Sequence, residues 1–265
     1  PCQAFQPRRL GVINWIGLKT LLEKVIGRFV NVYSQTLVAP VVTTLMFYTV
    51  FALAFGGETR MIGDIHYLDF LAPGLLMMAM VQNAFANTSS SMVIAKVQGN
   101  IVDILLPPIS PAEFYLGFML GGVARGLCVG MAALLVMIPL LDLSVHVVWP
   151  IVVFAVLGTA LLSTLGLCAG IWSEKFDHIA AVTNFLVTPL TFLSGTFYSV
   201  SQLPERWQAF AHANPFFYMI DGFRYGFTGH ADGDIGIGVA ILLILNLMLA
   251  ALAYGMIRRG YKMKS

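Results

Sequence analysis

Arg125 is the only formally charged side chain set deep in an apolar run of this chain. Placing an arginine at that depth costs at least about 2.5 kcal/mol on insertion scales, so it must face protein or water rather than lipid. None of the thirteen acidic residues lies deep in another apolar run. The available partners are therefore backbone carbonyls and the amides of the second run. Two roles fit Arg125: facing a transport path, or locking two helices together. The second run supplies the amides. Asn83, Asn87 and Ser90 or Ser91 fall at i, i+4, i+7 or i+8 and so share one helix face, with Gln82, Thr88 and Ser89 beside them. Polar groups in an apolar medium need partners. This face meets either another helix or a hydrated passage, and both remain open at this point.

Several chemistries are excluded. No lysine follows a glycine, so the chain has no Walker A loop with which to cradle nucleotide phosphates. The motifs His-Glu-x-x-His, His-x-x-Glu-His and Gly-x-Ser-x-Gly are also missing. The five histidines, His66, His146, His178, His212 and His230, are scattered rather than convergent. Cys2, Cys128 and Cys168 give neither a disulfide framework nor metal-ligand spacing. Asp64, His66 and Asp69 cluster in one loop and read as a solvated loop rather than a cation site. A net charge of +2 argues against a nucleic-acid partner.

The elements that must position these residues are membrane helices. The 265 residues are 58% hydrophobic and 11% charged, far below the roughly 25% charged residues of a soluble domain. Six apolar runs, residues 37–55, 70–94, 114–141, 149–172, 179–200 and 235–257, are long enough for a hydrocarbon layer of about 30 Å. All should be helices, because an open strand leaves backbone groups unpaired in lipid. Before them, Trp15, Leu18, Leu22, Val25, Phe29 and Tyr33 recur near a 3.6-residue period, opposite Lys19, Glu23, Lys24, Arg28 and Asn31. This is a basic amphipathic helix over 15–34, of the kind that lies in the membrane interface. The first 14 residues lack an apolar core, so no cleavable signal peptide is expected, and the missing initiator Met suggests a trimmed start. With both termini cytoplasmic, the inner segments hold eleven Lys and Arg and the outer loops three, Arg60, Arg206 and Arg224. That asymmetry sets both termini inside. The fold class is an all-α membrane protein with six transmembrane helices, an interfacial N-terminal helix and short re-entrant helices between spans five and six. One domain, residues 1–265 with its six-span region at 37–257, accounts for the chain.

Gly117, Gly121, Gly122, Gly126 and Gly130 repeat a small-x-x-x-small spacing in the third run, and Gly166 and Gly170 do so in the fourth. Such faces allow close helix approach in lipid, within one chain or between two. Between the second and third runs, Gly99 to Leu106 can form two helical turns before Pro107 and Pro108 stop them. The fifth run is expected to be broken near its middle by Pro189, and it leaves through Leu193-Ser194-Gly195-Thr196-Phe197-Tyr198. After it come an amphipathic segment around Trp207, then Asn214-Pro215, and Asp221 and Arg224 three apart on one helix face.

The chain resembles the permease subunit of type-2 ABC transporters, the export-type family, over nearly its whole length. The resemblance rests on the amphipathic helix before the first span and on Gly99-Asn100-Ile101-x-x-Ile104-Leu105-Leu106-x-Pro108-Ile109-Ser110. It rests most specifically on Pro189-Leu190-x-Phe192-Leu193-Ser194-Gly195-x-Phe197-Tyr198, followed by Leu203-Pro204-x-x-Trp207, Asn214-Pro215 and Asp221-x-x-Arg224. It implies a permease that dimerises with a second copy and works with a separate ABC ATPase subunit. This chain would bind no cofactor, ATP and magnesium being held by that partner. Its coupling helix would carry Lys96, Gly99, Asn100, Ile101, Asp103, Ile104 and Leu105 to the ATPase. Asn83, Asn87, Arg125, Pro189, Ser194, Gly195 and Phe197 would line or gate the path. Asp221 and Arg224 would pair to stabilise an outer cap. The look is closest to bacterial inner-membrane branches tied to polysaccharide or lipo-oligosaccharide export and to multidrug efflux. A polytopic acyl or glycosyl transferase and an ion-coupled secondary transporter are the alternatives. The first would need converging acids or histidines, and the second acids inside spans.

Overall fold

The computed structural model describes residues 14–54, 61–62, 65–106, 109–138 and 145–262. Arg8, Arg9, Arg60, Asp64, Pro107, Pro108 and Lys264 lie outside them, as does the side chain of Leu105. The chain is helical nearly throughout. In order it forms α1 (Trp15–Asn31), α2 (Ala39–Ala54), a two-stranded antiparallel ribbon of β1 (Met61–Ile62) and β2 (Ile65–His66), then α3 (Tyr67–Val97) and α4 (Ile101–Leu105). There follow α5 (Pro111–Met137), α6 (Val148–Trp172), α7 (Phe176–Val182), α8 (Thr188–Phe192), α9 (Glu205–Ala213), α10 (Pro215–Thr228) and α11 (Ile235–Arg258).

Among the described residues, five helices are long and apolar enough to cross a membrane: Ser34–Ala54, α3, α5, α6 and α11. The predicted fifth run differs. Its helix spans residues 176–192, starting three residues earlier and ending eight earlier than the apolar run of 179–200. Pro189 does not break it. A π-helical turn at Thr183–Val187 precedes Pro189, and the N–H of Thr188 bonds back to the Thr183 carbonyl. Proline lacks a donor and its ring clashes with the carbonyl four residues back, and one wide turn accommodates both defects. The same device joins α1 to α2, where a π turn at Ser34–Val38 precedes Pro40.

α3 is the axis of the bundle, with α5 and α6 packed along it. Of its apolar window 72% is buried, against 11% in both Ser34–Ala54 and α11, so those two helices present their apolar sides to the surroundings. The glycine faces are spent within the chain. A Cβ on Gly126 would stand 2.8 Å from the Met80 carbonyl of α3 and 2.8 Å from Thr159 of α6, and one on Gly166 would stand 2.5 Å from the Phe85 carbonyl. On the other side of α5, Gly117 and Gly121 receive Leu21 and Val25 of α1. Hydrogen bonds lock the same seams. Thr88 Oγ1 donates to the Ser163 carbonyl at 2.8 Å, and Ser163 Oγ donates to the Met119 carbonyl at 2.9 Å.

α1 is amphipathic, burying Leu18, Val25 and Phe29 of the predicted stripe together with Leu21, which that stripe omitted, while Trp15 and Tyr33 at the ends of the stripe are exposed. Its N-terminus is doubly held. Asn14 accepts from the Gly17 N–H at 2.9 Å, and its own N–H is taken by the Glu113 carboxylate. Glu113 also closes a capping box with Ser110 at the start of α5. Gly126→Ala is expected to lower the stability of the purified permease by about 1–3 kcal/mol through overpacking. Gly27→Ala, which meets nothing within 4 Å, is expected to raise it by up to about 1 kcal/mol. Thermal unfolding in one detergent compares the two, and equal shifts would refute the assignment of these seams.

Candidate permeation and coupling sites

The sequence-selected residues fall into three places. The first is the polar face of α3. Arg125 Nη2 donates to Asn83 Oδ1 at 3.1 Å, the amide partner expected from the second run, while Arg125 Nε has no partner among the described residues. Asn83 in turn donates to the Ala79 carbonyl. Asn87 is fully buried, and neither atom of its side-chain amide has a hydrogen bond among the described residues. It faces Gly121 across the α3–α5 seam. Arg28 of α1, which sequence reasoning treated only as part of a charged helix face, joins this region. Its Nη2 donates to Ser90 Oγ at 3.0 Å and to the Asn87 carbonyl at 3.3 Å. The face is therefore divided: Thr88 and Ser89 bond to helix carbonyls, while Asn83, Arg125 and Arg28 form a half-buried cationic row.

The second place is α4. Ile101 and Ile104 are buried in a core cluster shared with α1, α3, α5 and α6 rather than offered outward, whereas Val102, Asp103 and Leu106 are exposed. Five residues cannot present one apolar edge to a partner and still hold the turn in place, so that edge is used internally. Gly99 takes φ of +74°, a left-handed value that stops α3 and starts α4, and Asn100 follows it exposed. Lys96 is not on this outer surface. It is buried, and its ammonium donates to the Ile171 and Ser173 carbonyls. Those carbonyls belong to the end of α6, where helix geometry leaves acceptors without intrahelical donors.

The third place is the turn after α8. Ser194 Oγ and Thr196 Oγ1 both donate to the Thr191 carbonyl. Gly195 has φ of +76° and its carbonyl accepts from Arg224 Nη2 at 2.7 Å. Phe197 stacks between Phe51, at 4.5 Å between centroids, and Phe192, at 5.1 Å, and its carbonyl accepts from Tyr67. Arg224 is buried, with Nε donating to the Phe70 carbonyl at 3.1 Å and the guanidinium 3.6 Å above the Phe70 ring. The expected Asp221–Arg224 pair is corrected. No ion pair within 4.0 Å joins them among the described residues. Asp221 instead accepts from the Asp232 and Gly233 N–H groups at 3.0 and 2.9 Å. The two charges still favour each other through space, but each makes its hydrogen bonds with backbone groups rather than with the other. Asp232, missed from sequence, accepts from Ser199 Oγ and the Val200 N–H and so ties the turn to the loop before α11. The Asp232-Gly233-Asp234 run was the signal of a tight turn there. Asn214 Nδ2 adds a bond to the Leu190 carbonyl at 2.7 Å.

Arg224→Lys removes one of two directed donors and the flat stacking surface, and is expected to cost about 2 kcal/mol of stability. Arg206→Lys, on the exposed face of α9, is expected to cost nothing. Detergent unfolding midpoints that fall together for both would overturn the role of Arg224 as the clasp of this turn.

Comparison with known proteins matches this arrangement to one family. The family described as "ABC-2 type transporter" matches residues 17–228. The chain is 38% identical over 257 residues to the "Inner membrane transport permease YadH" of Escherichia coli (strain K12), covering 96% of this chain and 99% of that protein. It is 25% identical over 218 residues to "Nodulation protein J" of Sinorhizobium fredii (strain NBRC 101917 / NGR234), covering 80% and 82%. A "Nodulation protein J" of Neorhizobium galegae is 23% identical over 202 residues, covering 75% and 76%. With apolar helices long enough to cross a membrane, seams closed by small residues and a short helix set between the second and third runs, this chain belongs to the ABC-2 type transporter family as a membrane transport permease.

Proposed function

We propose that the chain is the permease of an ATP-driven exporter in a bacterial inner membrane, one of two copies forming the path and driven by a separate ABC ATPase. The observation that carries this reading is α4. It is a short helix pinned inward by Ile101 and Ile104, with Val102, Asp103 and Leu106 left outward. Burial of two side chains turns a flexible loop into a knob that can transmit force. The ATPase contact then falls on Gly99, Asn100, Val102, Asp103 and Leu106. Ile101, Ile104 and Lys96 hold that surface in place from behind.

The inner placement of this end follows from the eleven-to-three distribution of basic residues, which puts both termini in the cytoplasm. Residues 176–192 then form the short fifth crossing of six. The turn from Ser194 to Phe197, with α9 and α10, folds back as an outer cap. In this reading Pro189 and its π turn let the fifth helix flex, and the polar side chains of Asn83, Asn87 and Arg125 border the path. An amphiphile such as a saccharide-lipid, lipid or drug suits a path with apolar walls and a few polar groups. Nucleotide and magnesium belong to the ATPase.

Asp103→Arg and Val102→Glu are expected to reduce co-purification of the ATPase by tenfold or more while the permease still inserts. Co-purification and export that both survive would reject the α4 surface. Arg125→Leu is expected to insert normally yet lose most export, with co-purification intact. Unimpaired export by that variant would make Arg125 a structural charge.

A further inference from the structure

A cavity of about 120 Å3 lies where α1, α3 and α4 meet, lined by Lys24 and Arg28, the Ser91 hydroxyl and the apolar side chains of Leu21, Ile104 and Phe118. That is room for several ordered waters or for one small anionic group. Among the described residues no acidic side chain lines it. Glu23, also on α1, is turned to Lys19 at 3.7 Å. Neither Lys24 nor Arg28 has an acidic partner within 4.0 Å among the described residues. Arg28 carries five N–H donors, and its described bonds, to Ser90 and the Asn87 carbonyl, both come from Nη2. Ser91 Oγ is buried and has no hydrogen bond among the described residues. Two cations and an unused buried hydroxyl beside an aliphatic and aromatic wall match an anion that carries a hydrocarbon chain.

We propose that this cavity binds the phosphate headgroup of an anionic phospholipid, with Lys24, Arg28 and Ser91 holding the phosphate and the Leu21–Phe118 wall receiving the start of the acyl region. The proposal rests on the reading that α1 lies in the membrane interface, where a basic amphipathic helix with exposed Trp15, Ile16 and Tyr33 meets anionic headgroups. Ile104 of α4 forms part of the wall. An occupied cavity would therefore brace α4 against α1, making the coupling surface sensitive to lipid charge.

The test uses the full chain reconstituted in nanodiscs of equal phosphatidylglycerol and phosphatidylcholine, then released into detergent for native mass spectrometry. Wild type is expected to retain phosphatidylglycerol in preference to phosphatidylcholine. Lys24→Gln is expected to reduce that preference about fivefold, Ser91→Ala to reduce it as well, and Lys19→Gln to leave it unchanged. Equal retention of both lipids by wild type, or a preference untouched by both cavity variants, overturns the proposal. Displacement of the lipid by millimolar inorganic phosphate would assign a free-phosphate site and overturn it too. So would loss of ATPase co-purification in Lys24→Gln with no lipid preference in wild type, which would assign the cavity to an acidic side chain of the ATPase. The lipid measurement needs neither ATP nor partner, so its failure leaves the exporter reading standing. Failure of the ATPase to co-purify with wild type leaves the lipid site standing.

Discussion

Lipid offers no hydrogen bonds, and an unsatisfied backbone group in it costs several kcal/mol. Polar groups within the lipid layer must therefore be satisfied by the chain itself or by something that enters it. α3 carries the largest share of that burden. It holds five consecutive polar residues, Asn87 to Ser91, and a further asparagine at 83, in the most buried helix of the bundle. Thr88 and Ser89 close on helix carbonyls, and Ser163 extends the chain of bonds to α5. Such bonds require backbones to approach closely, and the glycines of α5 and α6 permit it. Polar row and small-residue faces are two halves of one constraint.

Pro40 and Pro189, in two of the less buried helices, obey the same accounting. A proline in a lipid-exposed helix frees a carbonyl that nothing in the surroundings can satisfy. In both cases a π turn just upstream redirects the N–H groups so that the helix continues. Proline thus acts here as a place where the helix is wider, not as a stop. The stop comes later, at Ser194 and Gly195, where the helix ends on side-chain hydroxyls and on the guanidinium of Arg224. A buried arginine, expensive alone, is tolerated because two carbonyls and a ring face meet it.

Sequence and structure agree where the pattern is periodic and part where the outcome depends on long-range partners. The amphipathic stripe of α1, the apolar lengths of α3, α6 and α11 and the amide partner of Arg125 follow from local pattern and from the lack of intramembrane acid. Asp221 and Arg224 look like a pair because residues three apart share a helix face. Nothing local reveals that Phe70, some 150 positions earlier, presents a carbonyl to one and that the Asp232 loop presents N–H groups to the other. Lys96 looks like a surface charge because it follows an apolar run; it is buried because α6 ends beside it. Ile101 and Ile104 look like a docking edge for the same reason that they are a core edge, since apolar spacing does not say which partner it will meet.

The loop containing α4 and the turn after Pro189 carry the motifs on which the family resemblance rests, and they divide along the same line. The amino-acid order alone determined that this is an all-α membrane protein, that a short helix stands between the second and third runs, and that a small-residue turn ends the fifth helix. Those properties depend on hydropathy, on length and on the restricted backbones of proline and glycine, all of which are local. Tertiary structure decided which face of α4 is outward, which carbonyls hold Lys96 and Arg224, and which cations remain without an acid. Hydrogen bonds and close packing are made between residues far apart in the chain, and no periodicity in the sequence encodes that distance.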